Sequence, residues 1–265
     1  MRYRNPIIAG FNPDPAICRH GKDFYLVTSS FEYFPGVPIY HSTNLADWTL
    51  EGYCLTEYKQ LPLDNCPPSG GIYAPTIYFQ DGIYYVTTTN TNDMGNFIVF
   101  AENIHGPWSK PIKIDQEGID PSILFDDGHI YYLTSASDQN GKPAILMSQI
   151  DISSGIRLTE AVCISHGCGG KYPEAPHLYK KDGIYYLLMA EGGTEYGHMV
   201  TIQRSGNPYG PYEPCPHNPI LSHRDDMRGD ICCTGHGDLI EDENGRWWMV
   251  CLGIRPCSSP QKGSV

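Results

Sequence analysis

The chain has 265 residues, 40% hydrophobic and only 18% charged, enough to bury one sizeable core or two small ones. Its formal net charge of -12 repels polyanions, which excludes nucleic acid and anionic membrane as partners. With 28 Gly, 22 Pro and 19 Tyr, turns and aromatic-rich strands are favoured over long helices, so the chain is expected to be all-β.

In chain order, a first strand over Pro15 to Cys18 runs into a turn and out through Phe24 and Tyr25, followed by an alternating segment from Ile39 to Trp48. The pattern returns as Pro75 to Phe79, Asp81, Gly82, Tyr84, Tyr85 and then Phe97 to Trp108. A third copy runs through Pro121 to Phe125, Asp127, Gly128, Tyr131 and Tyr132, and a fourth through Pro176 to Tyr179, Asp182, Gly183, Tyr185 and Tyr186. The fifth is Asp238 to Ile240, Asn244, Gly245, Trp247 and Trp248. About four strands fit in each period, which predicts a five-bladed β-propeller, with a solenoid of stacked sheets as the alternative. A propeller buries both faces of each blade and exposes few edges, and no linker interrupts residues 1–265, so a single domain is expected.

The ten cysteines show no CxxC spacing, which argues against a zinc or redox motif. The segment from Met1 to Ile8 is polar, and no stretch approaches the roughly 18 apolar residues of a membrane span. The chain therefore reads as cytoplasmic with reduced thiols.

The aromatic pairs also serve as a ruler. Eleven positions back from Tyr25, Tyr85, Tyr186 and Trp248 stand Asp14, Ala74, Ala175 and Gly237, and twelve back from Tyr132, in a hairpin read as one residue longer, stands Asp120. Within one residue of register the five copies offer Asp14, Tyr73, Asp120, Glu174 and His236. First strands line a propeller's channel, so these side chains should converge at one mouth of it. Crowded carboxylates raise at least one pKa, leaving one group a protonated acid while another stays an ionised base, the division of labour of glycoside hydrolysis. An Asp before Pro is by itself an ordinary turn device, and the in-register coincidence of all three acids is what favours a site.

The stretches Asn12-Pro13-Asp14-Pro15, Gly70 to Pro75, Ile119-Asp120-Pro121-Ser122, Pro173-Glu174-Ala175-Pro176, Glu191 to Thr194 with His198, Asn218 to Leu221 and Gly235 to Asp238 resemble glycoside hydrolase family 43. The resemblance is closest to its β-xylosidases and α-L-arabinofuranosidases, and implies an inverting exo-glycosidase acting on short xylo-oligosaccharides. It implies Asp14 as general base, Glu174 as general acid and Asp120 as the carboxylate that orients the acid and tunes its pKa. Inversion requires roughly 6.5–9.5 Å between the base and acid carboxyls, to admit a water. Tyr73 stands where many relatives carry a Trp. Phe31 resembles an aromatic on the leaving-group side, and Tyr73, Phe31, His236, Glu191 and Thr194 are the expected substrate contacts, with Glu191 and Thr194 either meeting sugar hydroxyls or holding the loop that His198 follows. No cofactor is required, a calcium or other cation near His236 being the one position the resemblance raises.

Relatives continue past the Leu252 to Pro256 stretch with further propeller strand, an arginine that reaches the sugar, and often a β-sandwich. By that comparison the chain reads as C-terminally truncated, with an incomplete fifth blade and an edge open to homo-oligomer formation. Two rivals of other classes follow: an inactive carbohydrate-binding propeller, and a scaffold that binds protein partners.

Overall fold

The computed structural model describes residues 3–225 and 230–256. Apart from one 3₁₀ turn, Tyr58–Gln60, the regular structure among them is antiparallel sheet. The first sheet holds β1 (Ala16–His20), β2 (Asp23–Val27), β3 (Gly36–Ser42) and β4 (Thr49–Leu55) in chain order. A second holds β5 (Ile72–Gln80), β6 (Ile83–Asn90), β7 (Gly95–Ala101) and β8 (Ile112–Lys113). The third is β9 (Ile119–Asp126), β10 (His129–Ser137), β11 (Pro143–Gln149) and β12 (Val162–Ser165). In the fourth, β13 (Glu174–Lys181), β14 (Ile184–Glu191), β15 (Met199–Ser205) and β16 (Glu213–Pro214) are joined by β17 (Leu221–Ser222), which pairs with β15. The last sheet has two strands, β18 (Cys232–Glu241) and β19 (Trp247–Ile254).

The first strands touch in succession, β1 to β5, β5 to β9, β9 to β13, β13 to β18, and β18 back to β1, giving the propeller arrangement its central axis. Four sheets are full blades, where five aromatic pairs led to an expectation of five. The fifth pair, Trp247 and Trp248, lies in the two-stranded sheet. The residues beyond Pro256, on which the missing-arginine expectation rests, lie outside the described residues.

Local chemistry sets the first turn of most sheets. Asp81-Gly82, Asp127-Gly128 and Asp182-Gly183 are two-residue hairpin loops whose residues all have positive φ, 49° to 51° for the aspartates and 76° to 84° for the glycines. This is the type I′ turn that Asp-Gly favours, and its twist matches that of the flanking strands. The third hairpin is therefore no longer than its neighbours. Counted from the turn, Tyr131 rather than Tyr132 matches Tyr25, Tyr85 and Tyr186, because Tyr131 pairs with Leu124 as those three pair with Cys18, Tyr78 and Tyr179.

Apolar clusters fill the wedges between sheets. Val27, Ile77, Tyr84 and Val86 join the first two sheets, and Ile98, Ile123 and Tyr132 the next pair. Leu133, Met147, Leu187 and Met189 lie between the third and fourth, and Ile17, Leu26 and Val250 between the two-stranded sheet and the first. Each fully buried Leu, Ile or Val here contributes roughly 1.5–3 kcal/mol. Polar clasps join the inner strands as well. Asp238 on β18 accepts the Ile17 N–H of β1 at 2.8 Å and the Tyr179 hydroxyl of β13 at 2.6 Å, tying the two-stranded sheet to both neighbours.

Candidate active site

One backbone irregularity recurs around the axis and builds the site. In the second to fifth sheets, four inner-strand residues face three on the next strand: Tyr73 to Thr76 opposite Thr89 to Thr87, Ile119 to Ser122 opposite Ser135 to Leu133, Glu174 to His177 opposite Ala190 to Leu188, and Gly235 to Asp238 opposite Leu252 to Val250. Such bulges bend a strand and re-aim one side chain. The bulged residue has positive φ each time, 38° at Ala74, 54° at Asp120, 47° at Ala175 and 47° at His236, and Asp14, just before the first sheet, matches at 55°. Non-glycine residues held there cost of order 1–3 kcal/mol each, a strain that the surrounding ring of sheets must over-determine.

The bulges also correct the register read from the sequence. His236 belongs with Asp14 and Asp120, whereas Glu174 stands one residue earlier, level with Tyr73, Ile119 and Gly235.

The three acids and His236 share one electrostatic environment. Asp14 Oδ1 lies 3.4 Å from His236 Nδ1, with His236 8% exposed. Asp120, also 8% exposed, accepts the Ala175 N–H at 3.1 Å. Burial pushes the Asp120 carboxyl upward, His236 pulls it back, Asp14 pushes it further up, and the Ala175 N–H lowers it. Glu174 is pushed up to about 7, first by burial, then by Asp120, with His236 opposing and Asp14 adding to the rise. A carboxyl near 7 is matched to proton donation at neutral pH.

An aromatic group flanks these acids. The Phe31 ring lies 5.2 Å from Tyr73 in an edge-on arrangement and 5.6 Å from Phe11. Phe31 exchanges two backbone hydrogen bonds with Ile72, each 3.0 Å, and the Tyr73 hydroxyl donates to the Ser69 carbonyl at 2.5 Å. Gly71 permits this approach, since a Cβ there would stand 2.4 Å from the Phe31 carbonyl oxygen, and its φ of +90° suits glycine. Phe11, half exposed, was not foreseen.

Two expected contacts fall elsewhere. Glu191 has no exposed surface, and its oxygens accept the Cys168 N–H at 2.8 Å, the Gly170 N–H at 2.6 Å and the Thr201 hydroxyl at 2.6 Å. It pins the loop at 167–170, and these bonds occupy both of its oxygens. Thr194 sits in an exposed loop that the His198 N–H to Glu195 carbonyl bond closes, and no described contact ties it to the acids. His198 supports from below: its buried ring bonds the Cys233 carbonyl through Nδ1 at 3.1 Å and lies so close to Gly235 that a Cβ there would meet Nε2 at 2.2 Å.

Ser29 was missed as a site residue. Its hydroxyl donates to Asp14 Oδ2 at 2.6 Å and accepts the Ala74 N–H at 2.6 Å. A serine after a strand carries no sequence signal of such a role. For a cation, the donors nearest His236 are Asp14 and Asp120, yet among the described residues no group of three or more His, Cys, Asp or Glu converges closely enough to hold an ion. The residues present do not fit a protein-built cation cage.

A propeller that brings Asp14, Asp120, Glu174 and His236 within electrostatic reach of one another around its axis, with one carboxyl pushed up to about 7, has the makings of an acid–base hydrolytic site. Residues 3–264 match the glycosyl hydrolases family 43, and the chain belongs to that family. It is 48% identical over 258 residues to a non-reducing end alpha-L-arabinofuranosidase of Bacteroides ovatus, covering 96% of this chain and 48% of the relative. A beta-xylosidase of Bacillus subtilis is 38% identical over 268 residues, 97% of this chain and 50% of the relative. Among solved structures, a xylan beta-1,4-xylosidase from Bacillus halodurans superposes with a TM-score of 0.89 at 38% identity, over 97% of this chain and 52% of that one. The chain spans about half the length of the curated relatives it matches.

Proposed function

We propose that this chain carries the catalytic site of an inverting exo-glycosidase that removes terminal β-D-xylosyl residues from xylo-oligosaccharides. The observation that carries the reading is the grouping of Glu174 with Asp120, Asp14 and His236 around the axis, in which burial and Asp120 push the Glu174 carboxyl up to about 7. In the proposed reaction, Asp14 takes a proton from a water as that water's oxygen bonds to the anomeric carbon. Glu174 gives its proton to the departing glycosidic oxygen from the opposite side, and the C–O bond breaks with inversion. Asp120 orients the acid and keeps its proton on, and Phe31, Tyr73 and His236 line the sugar. A pure binding protein has no use for a carboxyl kept acidic in this way, which argues against the inactive-propeller rival.

Release of α-L-arabinofuranose is the second reading, favoured by the 48% identity to the Bacteroides ovatus arabinofuranosidase. We also read the two-stranded sheet as the inner half of a fifth blade, because β18 occupies the ring position between β13 and β1. Nitrophenyl β-D-xyloside and α-L-arabinofuranoside, hydrolysed side by side with product anomers followed by NMR, test the whole. Faster xyloside cleavage giving the α-anomer first is expected. An arabinoside preference moves the substrate assignment to the second reading, and a β-anomer released first from the xyloside, or an α-anomer first from the arabinofuranoside, overturns inversion.

A further inference from the structure

We infer that Ser29 is a positioning residue for Asp14, a hydroxyl relay that fixes which carboxylate oxygen receives the proton from water. The inference rests on the assignment of Asp14 as general base. Ser29 is 4% exposed, and its own N–H is committed to the Pro13 carbonyl at 3.0 Å, so both its backbone and its side chain face the segment that carries Asp14. Because the Ser29 oxygen accepts the Ala74 N–H, its single proton is left to point at Asp14 Oδ2. A hydroxyl polarised by an incoming N–H is also a stronger donor. Oδ2 is thereby occupied, and Oδ1, on the side of His236, is left to take the proton.

A second contact across the ring shows the same design without the relay. Ala74 and Ala175 are the bulged residues of their sheets, both with positive φ, and both turn an N–H toward the carboxylate of the preceding element. Ala175 reaches Asp120 directly, at 3.1 Å, whereas Ala74 reaches Asp14 only through Ser29. The relayed acid is the one assigned to receive a proton on its other oxygen, and the directly bonded acid the one that orients a neighbour. A methyl group in place of the hydroxymethyl would leave Asp14 Oδ2 without its donor and the Ala74 N–H buried without a partner.

The test compares Ser29→Ala, Ser29→Thr and Asp14→Asn in the full chain, with thermal melts to confirm folding. The titratable groups that face Asp14 are Asp120, Glu174, His198 and His236, and all are retained in the Ser29 variants. Ser29→Ala is expected to lower kcat roughly 10- to 100-fold with KM within about 2-fold, and to move the low-pH limb of the kcat/KM profile upward by about one pH unit. Ser29→Thr, which keeps the hydroxyl, restores the limb. A readout independent of turnover is the Ala74 amide resonance: its pH dependence at low pH should vanish in Asp14→Asn and in Ser29→Ala. An unmoved limb, or an Ala74 amide that still titrates in Ser29→Ala, overturns the relay. If Asp14→Asn keeps full activity, the base assignment fails instead, and the two failures are told apart.

Discussion

Glu174 and Glu191 stand at the same end of one hairpin: Glu174 opens β13 opposite Ala190, and Glu191 closes β14 next to it. Glu191 is wholly buried, yet its carboxylate is met by three protein donors, two of them backbone N–H groups of a loop whose glycines allow the approach. A Cβ at Gly170 or Gly167 would stand 2.7 or 2.8 Å from Glu191 Oε2. Glu174 is less buried, but what surrounds its carboxyl is apolar burial, Asp120 and Asp14, with His236 the one opposing group. Glu191 is committed to structure. Glu174 is kept from ionising and has a proton to give.

The largest effect expected from that contrast is kinetic. Glu174→Gln keeps shape but has no acidic proton, and should lower kcat on a xyloside with a poor leaving group by about 10³-fold. An activated nitrophenyl leaving group needs less protonation, so its loss should be smaller, and the ratio of the two losses is the measurement. Equal losses on both substrates would show that Glu174 does not protonate the leaving oxygen.

Next in size is the cost of disturbing the other glutamate. In Glu191→Gln an amide NH₂ must face a backbone N–H that now meets a carboxylate oxygen, so a charge-assisted bond becomes a repulsion. A destabilisation of about 2–4 kcal/mol, read as a melting temperature roughly 5–10 °C lower, is expected. KM for sugar should stay within about 2-fold of wild type at temperatures where the variant is folded. A KM raised tenfold with an unchanged melting temperature would restore Glu191 as a sugar contact.

The sequence made the hairpins legible because Asp-Gly turns and paired aromatics are local signals, and it put Asp14, Asp120 and Glu174 close together because counting along a strand nearly preserves register. It failed by one residue at His236 and at Tyr131. In the third sheet the aromatic pair stands one position further from an ordinary two-residue turn, and in the fifth the turn itself is longer, so a count taken from the pair slips in both. Between the two readings of Glu191 the sequence could not choose, because its partners come from 167–170, a glycine-rich loop in which the glycines signal a close approach but not by what. Ser29 was invisible for a similar reason: a relay between Asp14 and Ala74 exists only once two sheets are packed.

The smallest predicted effect follows from holding Glu174 protonated. Its carboxyl ionises at about 7 in the folded chain against an ordinary 4.5, so between those values the folded state keeps a proton that the unfolded chain has released. Stability from this group is therefore full below pH 4.5, falls as pH rises toward 7, and stays low above it. Glu174→Gln removes the group and with it the loss. Above pH 7 the variant should be more stable than wild type by about 1–2 kcal/mol, a figure reduced for the solvent that reaches Glu174, or a rise of roughly 2–6 °C in melting temperature. At pH 4 the two proteins should melt together. Parallel curves across this range would mean that Glu174 ionises normally, and would break the contrast with Glu191 at its physical root.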